Sequence, residues 1–312
     1  MNKYYRYILV CALPLVFFLS VNAPTRSLPA TFHEWLKSPG MQHATVTLEV
    51  ARLPHAHNAS KSSKSYTTLY QYDADRLMIP ASVMKLVTTA AALRILGGDY
   101  VLPDSVALID TTAHVMPGLE GYNRDWLIED IGEDYIPALQ NLLPDSGRVL
   151  REVVHDTNVE SLNNQAETLL RLLNTSCQLD SDLLVVKDYW KAKGLDTDCL
   201  IMYDGCGLAP SDRVTSHFMI QLLAEMQHDE DFVNSLPVVG REGTVKRFLL
   251  KTRLEGNGRL KTGTLKTTVA YAGYLQGTDS KRYAVSIFVN NHTCKAQEVR
   301  KGIEKVLLSL IP

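Results

Sequence analysis

The chain has 312 residues, 46% hydrophobic and 21% charged, an ordinary globular mixture with ample material for one large domain or two small ones. A net charge of −2 leaves no electrostatic footprint for nucleic acid. Lys3 and Arg6 precede an apolar run over 7–21, and small residues follow, with Val21 and Ala23 spaced as at a cleavage site. This is the layout of a secretory signal peptide over 1–23. The run is short for a membrane span and is interrupted by Pro14. The mature chain is then expected from about residue 24, outside the cytoplasm; an uncleaved anchor is the alternative.

Alternation over 44–53 predicts a first strand, and 66–72 a second. The polar loop between them carries His55 and His57, with no acidic or cysteine partner nearby to complete a metal site. A helical pattern runs from Ser82 to Leu96 and stops at Gly97-Gly98. Residues 101–160 are less regular and rich in proline. Helical periodicity returns over 161–173, 180–192 and 215–227. The character then changes to three consecutive strands over 258–265, 269–277 and 282–291, and an amphipathic helix over 294–310 closes the chain. Strands at both ends and helices between predict a split α/β sandwich. The sheet comes from 24–80 and 236–312, and a mainly helical region over 81–235 sits at its edge; the whole of 24–312 is one domain. Cys177, Cys199, Cys206 and Cys294 lack C-x-x-C spacing, which argues against zinc; pairing and small buried thiols both remain open.

The stretch PASVMKL places Ser82 three positions before Lys85, on one face of the predicted helix. A serine hydroxyl becomes a nucleophile when a neighbour takes its proton, and a lysine can do so only when burial or a nearby positive charge keeps it neutral. Alone the pair reads more readily as helix-start chemistry, a capping serine with a surface lysine. Two further segments raise its weight: S-x-N at Ser161 and Asn163, and K-T-G at Lys261, Thr262 and Gly263, heading a predicted strand. The combination S-x-x-K, S-x-N and K-T-G, in this order, marks penicillin-binding proteins and class A β-lactamases.

The chain resembles the D-Ala-D-Ala carboxypeptidase/endopeptidases of the class C low-molecular-mass penicillin-binding proteins, peptidase family S13. PASVMKLVTTAAALRILGGDY, RDWLIEDIGEDY, SLNNQAETLL, DGCGLAPSDRVTS, LPVVGREGTVKRF and KTGTLKTTVAYAGYL carry the likeness across most of 65–291. It departs in several places. Only residues 83–160 separate the two serines, where members usually carry inserted domains. Cys206 stands where serine is usual, Pro210 where arginine often follows, and Lys266 where a small polar residue is common.

The resemblance implies a β-lactamase/transpeptidase-like fold, with an antiparallel sheet flanked by helices and a helical subdomain. It implies a periplasmic serine D,D-peptidase acting on peptidoglycan stem peptides and acylated by β-lactam antibiotics, without metal or cofactor and with at most peripheral membrane association. Ser82 would attack and Lys85 take its proton. Ser161 would relay the proton to the leaving amine, and Asn163 would hold Lys85 and the substrate amide. Lys261 would place charge near the terminal carboxylate and depress Lys85, and Thr262 would bind that carboxylate. Gly263 would let the strand approach the substrate, and the Ser82 and Thr264 N–H groups would form the oxyanion hole. Trp126, Asp130 and Tyr135 would line the substrate site. A serine β-lactamase and a non-catalytic cell-wall-binding protein of the same fold are the alternatives.

Overall fold

The computed structural model describes residues 26–54, 66–103, 145–173 and 179–312. The expected leader, His55, His57, Cys177 and the segment with Trp126, Asp130 and Tyr135 lie outside the described residues.

Five strands, β1 (Thr45–Arg52), β2 (Thr67–Tyr72), β3 (Gly258–Leu265), β4 (Thr268–Gln276) and β5 (Arg282–Asn290), form one antiparallel sheet ordered β2-β1-β5-β4-β3. The first and last segments do complete one sheet: β1 pairs along its whole length with β5, Leu48 opposite Ile287. β3 is the last strand at one edge, paired along its length to β4 and bridged on its other side at Arg259 by Val238.

The helices are α1 (Ala30–Leu36), α2 (Met84–Leu96), α3 (Leu150–Val159), α4 (Asn163–Leu172), α5 (Leu179–Ala192), α6 (Ser216–Met226), α7 (Glu230–Ser235) and α8 (Ala296–Leu310). Among the described residues no helix is long and apolar enough to cross a membrane.

Side chains alternate across a strand, so β4 and β5 serve two cores. Val269, Tyr271, Val285, Ile287 and Val289 pack with Phe32 of α1 and with Val299, Ile303 and Val306 of α8. Ala270, Ala272, Ala284 and Phe288 face the other way, onto α2 and α6. Both faces of the central strands are covered, which is why they read as continuous apolar runs. Each fully buried Val or Ile contributes about 1.5–3 kcal/mol. The helical region therefore lies across a face of the sheet, not at its edge as expected. The small Ala270, Ala272 and Ala284 leave room for helices on that face.

Helix α2 is buried all round from Met84 to Leu93, as befits a helix at the centre of a core. Its Ala90-Ala91-Ala92 run has high helix propensity. It ends where Gly97, at φ +85°, returns its N–H to the Leu93 carbonyl. Helix α3 falls in the stretch that looked irregular. It buries Leu150, Val153, Val154, Thr157 and Asn158, a helical stripe whose last two members are polar.

Candidate active site

Ser82 does not sit inside the α-helix. It occupies a short 3₁₀ turn, Ala81–Val83, that leads into α2. In such a turn positions i and i+3 eclipse, so the pairing with Lys85 survives the change of helix type. The turn is held from three sides. Asn290 at the end of β5 accepts the Ile79 N–H (2.8 Å) and donates back to the Ile79 carbonyl (3.1 Å). A Cβ on Gly263 would lie 2.4 Å from the Pro80 carbonyl oxygen, and one on Gly207 would lie 2.0 Å from that of Ala81. Gly263 thus lets β3 approach the turn that carries Ser82. Its side-chain-free backbone makes this packing possible. Ala81 is held at φ +47° and Ser161 at φ +62°, both in the left-handed region that non-glycine residues seldom occupy. Two such residues at one site mark backbone held by its surroundings.

Lys85 is fully buried, and its Nζ meets three oxygens: Asn163 Oδ1 at 2.6 Å, the Cys206 carbonyl at 2.7 Å and Ser82 Oγ at 3.0 Å. As an ammonium the group donates to all three. As a neutral amine it has two N–H bonds; Asn163 and Cys206 accept them, and the lone pair faces the Ser82 hydroxyl. Lys261, equally buried, donates to Ser161 Oγ (2.8 Å) and the Thr262 carbonyl (3.0 Å). Ser161 caps no helix: the residue preceding α4 is Leu162, and the serine hydroxyl belongs to Lys261. The structure thus brings Ser82, Lys85, Ser161, Asn163 and Lys261 together. Thr262 donates to Thr244 Oγ1 (2.9 Å), and Thr264 accepts from Arg300 (3.0 Å). A cavity of about 940 Å³ opens in front, lined by Ser82, Ser161, Thr244, Thr262, Thr264 and Arg300 among others.

Burial pushes Lys85 below an ordinary lysine, and nearby Cys206, Asp204, Glu167 and Asp212 pull it back up. Lys261 is driven well down, by burial first and then by the charge of Lys85. Burial is the larger cause for both lysines, and the repulsion between the two, which acts on the pair, adds to it. Beneath the lysine, burial raises Glu167 to about 7 and pushes Asp212 and the Cys206 thiol well up. Asp204 accepts the N–H groups of Gly207 (2.5 Å), Leu208 (3.0 Å) and Ala209 (2.7 Å), and Glu167 accepts that of Gly205 (2.9 Å).

Glu167, Asp204 and Cys206 bring three ligand-type atoms within 4.8 Å of one another. Their oxygens are engaged by backbone N–H groups, with a lysine alongside, which fits shared protons better than a cation. Cys199, Cys206 and Cys294 are free thiols. Sequence reasoning did not reach Thr244, Arg300 or the Cys206 carbonyl. The last is a backbone atom and leaves no sequence signal.

The profile of the D-Ala-D-Ala carboxypeptidase 3 (S13) family matches residues 43–112 and 125–310, well over half of the chain and every motif of the site. The chain belongs to that family. A D-alanyl-D-alanine carboxypeptidase of Actinomadura sp. (strain R39) is 26% identical over 226 residues, 69% of this chain and 39% of the relative. The chain thus spans about two fifths of that relative's length. Penicillin binding protein 4 (dacB) from Haemophilus influenzae superposes with a TM-score of 0.65 at 13% identity, covering 89% of this chain and 99% of that one. The TLA-3 extended-spectrum β-lactamase gives 0.58 at 15% identity, covering 90% and 95%. These S13 and β-lactamase likenesses establish the fold expected from the motifs.

Proposed function

We propose that this S13 chain is an exported serine D,D-peptidase that opens the D-Ala-D-Ala bond, or the cross-links, of peptidoglycan stem peptides through an acyl-enzyme, and that β-lactams acylate the same serine. The observation that carries this reading is the Lys85 amine. Two acceptors take its N–H bonds, its surroundings disfavour charge, and its third direction points at Ser82 Oγ, 3.0 Å away.

In acylation Ser82 Oγ attacks the carbonyl carbon while its proton passes to Lys85. Lys85 then gives that proton up through the Ser161 hydroxyl, held by Lys261, which relays it to the departing amine and leaves Lys85 neutral again. The substrate's terminal carboxylate lies against Thr262 and Thr264, with Lys261 behind, and its negative charge draws that lysine toward the ammonium form. Backbone N–H groups of Ser82 and Thr264 meet the oxyanion, each such donor worth about 2.7–4 kcal/mol. Water then attacks the ester and Lys85 again takes the proton. Residues 1–23 are read as the leader that delivers the chain to the periplasm.

Intact mass after incubation with penicillin G tests the reading. A stable adduct on the wild-type chain, absent from Ser82→Ala, is expected. An adduct on Ser82→Ala would overturn it. An adduct that vanishes within seconds would instead identify a β-lactamase. No adduct on the folded wild type would leave a non-catalytic wall-binding protein.

A further inference from the structure

The acid cluster beneath Lys85 has no part in the steps above, yet Glu167 is tied to both elements that carry the lysine's acceptors, α4 and the 204–207 loop. Asn163 and Glu167 are four residues apart on α4, one above the other on the same face. Asn163 accepts directly from Lys85. Glu167 Oε1 accepts from Gly205, whose own carbonyl accepts from Thr88 of α2, and the next carbonyl, that of Cys206, accepts from Lys85. Gly205 packs so closely on α4 that a Cβ would lie 3.1 Å from the Ala166 carbonyl oxygen. Glu167 therefore joins the helix and the loop that between them hold the amine.

Its charge also matters. Around Lys85 stand Ser82, Asn163, Lys261, Asp204, Asp212, Cys206 and Glu167. Burial raises the Cys206 thiol and Asp212 well above their ordinary values. Asp204 is tied to three backbone N–H groups. Around Glu167 stand Asp204, Cys206, Arg171 and the lysine. Burial raises Glu167 to about 7, so its charge changes near neutrality.

We infer that Glu167 is a positioning residue for Lys85: it braces the 204–207 loop against α4 and, on losing its proton, shifts the lysine from amine toward ammonium. A protonated Glu167 leaves the base free to receive the Ser82 proton. An ionised one stabilises the form that cannot. The inference deepens the peptidase reading and uses its site, but the property it concerns is the titration of one amine.

The test follows the ¹³Cε shift of Lys85 against pH in the wild type and in Glu167→Gln, with penicillin G acylation rates across the same range. The glutamine keeps an oxygen for the Gly205 N–H. Its Lys85 midpoint, and the acid limb of acylation, are expected about one pH unit lower. In the wild type the Lys85 shift is expected to respond to Glu167 with an inflection near pH 7. Glu167→Ala, which loses the brace, is expected to be acylated more slowly at every pH. Unmoved midpoints in Glu167→Gln, or a wild-type curve with no inflection, would overturn the inference. If the wild type takes no penicillin while the Lys85 midpoint still shifts, the inference stands and the peptidase reading fails.

Discussion

At the scale of the residue, the chemistry rests on how many acceptors a buried amine is given. Lys85 has three oxygen neighbours and, when neutral, two N–H bonds, so one neighbour must donate instead of accept. Asn163 Oδ1 and the Cys206 carbonyl have no hydrogen to give. Ser82 does, and so the hydroxyl turns its proton to nitrogen. Lys85→Met keeps the side chain's bulk and removes the base. Its acylation by penicillin G is expected to slow by about 10²–10⁴-fold, the usual contribution of a positioned base, in stopped-flow or mass-resolved time courses. Ordinary reactivity in that variant would mean that another group takes the proton.

This part of the site was legible in the sequence because the three-residue spacing from Ser82 to Lys85 holds in both helix types. Glu167 was not. A glutamate in QAETLL reads as a solvent-facing residue, and only the folded chain shows it buried at 2% exposure against the Gly205 N–H.

At the scale of the element, two glycines hold the turn that carries Ser82. Gly263→Ala would press a methyl group on the Pro80 carbonyl and the Ala81 Cβ, 2.4 and 3.1 Å from the new atom. Overpacking of this kind costs about 1–3 kcal/mol. The strain falls on the turn that aims Ser82, where a 1 Å displacement costs about 10²-fold in rate. Acylation is therefore expected to suffer far more than the melting temperature, and equal small losses in both would contradict the clamp. The motif pointed to this glycine, but its partner is another part of the chain, far away in sequence. Helix α3 escaped the sequence for a related reason. Thr157 and Asn158 lie on its buried face and break the apolar period, while the fold engages the Thr157 hydroxyl with Val153 and Gln165 and the Asn158 amide N–H groups with Thr89 and Ser235.

The junction of α6 with β1 carries a pH dependence of its own. Glu49 of β1, with no exposed surface, accepts from Thr68 (2.8 Å) and pairs with His217 Nδ1 (2.9 Å) at the start of α6. The bond to Glu49 raises His217 above its ordinary 6.5. A raised imidazole stabilises the fold in full below 6.5 and loses that contribution as pH rises through its folded value. His217→Ala is expected to cost about 1.5–3 kcal/mol at pH 6, since Glu49 loses a charged partner. The histidine is a third exposed, which places the value toward the low end. The difference from the wild type should shrink at pH 8 in urea titrations; a gap constant with pH would show that only packing was lost.

At the scale of the whole molecule, the two cores and the sheet order follow from patterns the chain displays openly: a strand pair at one end, three strands at the other, and apolar runs fit for burial on both faces. The price of placing the Ser82–Lys85–Lys261 cluster inside the fold is a set of ionisable groups held away from water. These act on stability in opposite senses. Lys85 and Lys261 have lowered values, so the fold prefers them neutral and gains as pH rises toward 10.5. Glu167 is raised from 4.5 to about 7, so between these values the fold keeps a proton that the unfolded chain releases. Its contribution is whole below 4.5 and is lost as pH climbs to about 7. Over that span it amounts to about 3 kcal/mol at most. Glu167→Gln removes this slope and leaves the lysines in place. The stability of the wild type relative to the variant, from urea titrations at pH 5, 6, 7 and 8, is expected to fall steadily to pH 7 and then level. Parallel curves across the range would mean that the unfolded chain holds the Glu167 proton as tightly as the fold does, and that the carboxyl is not buried as the structure places it.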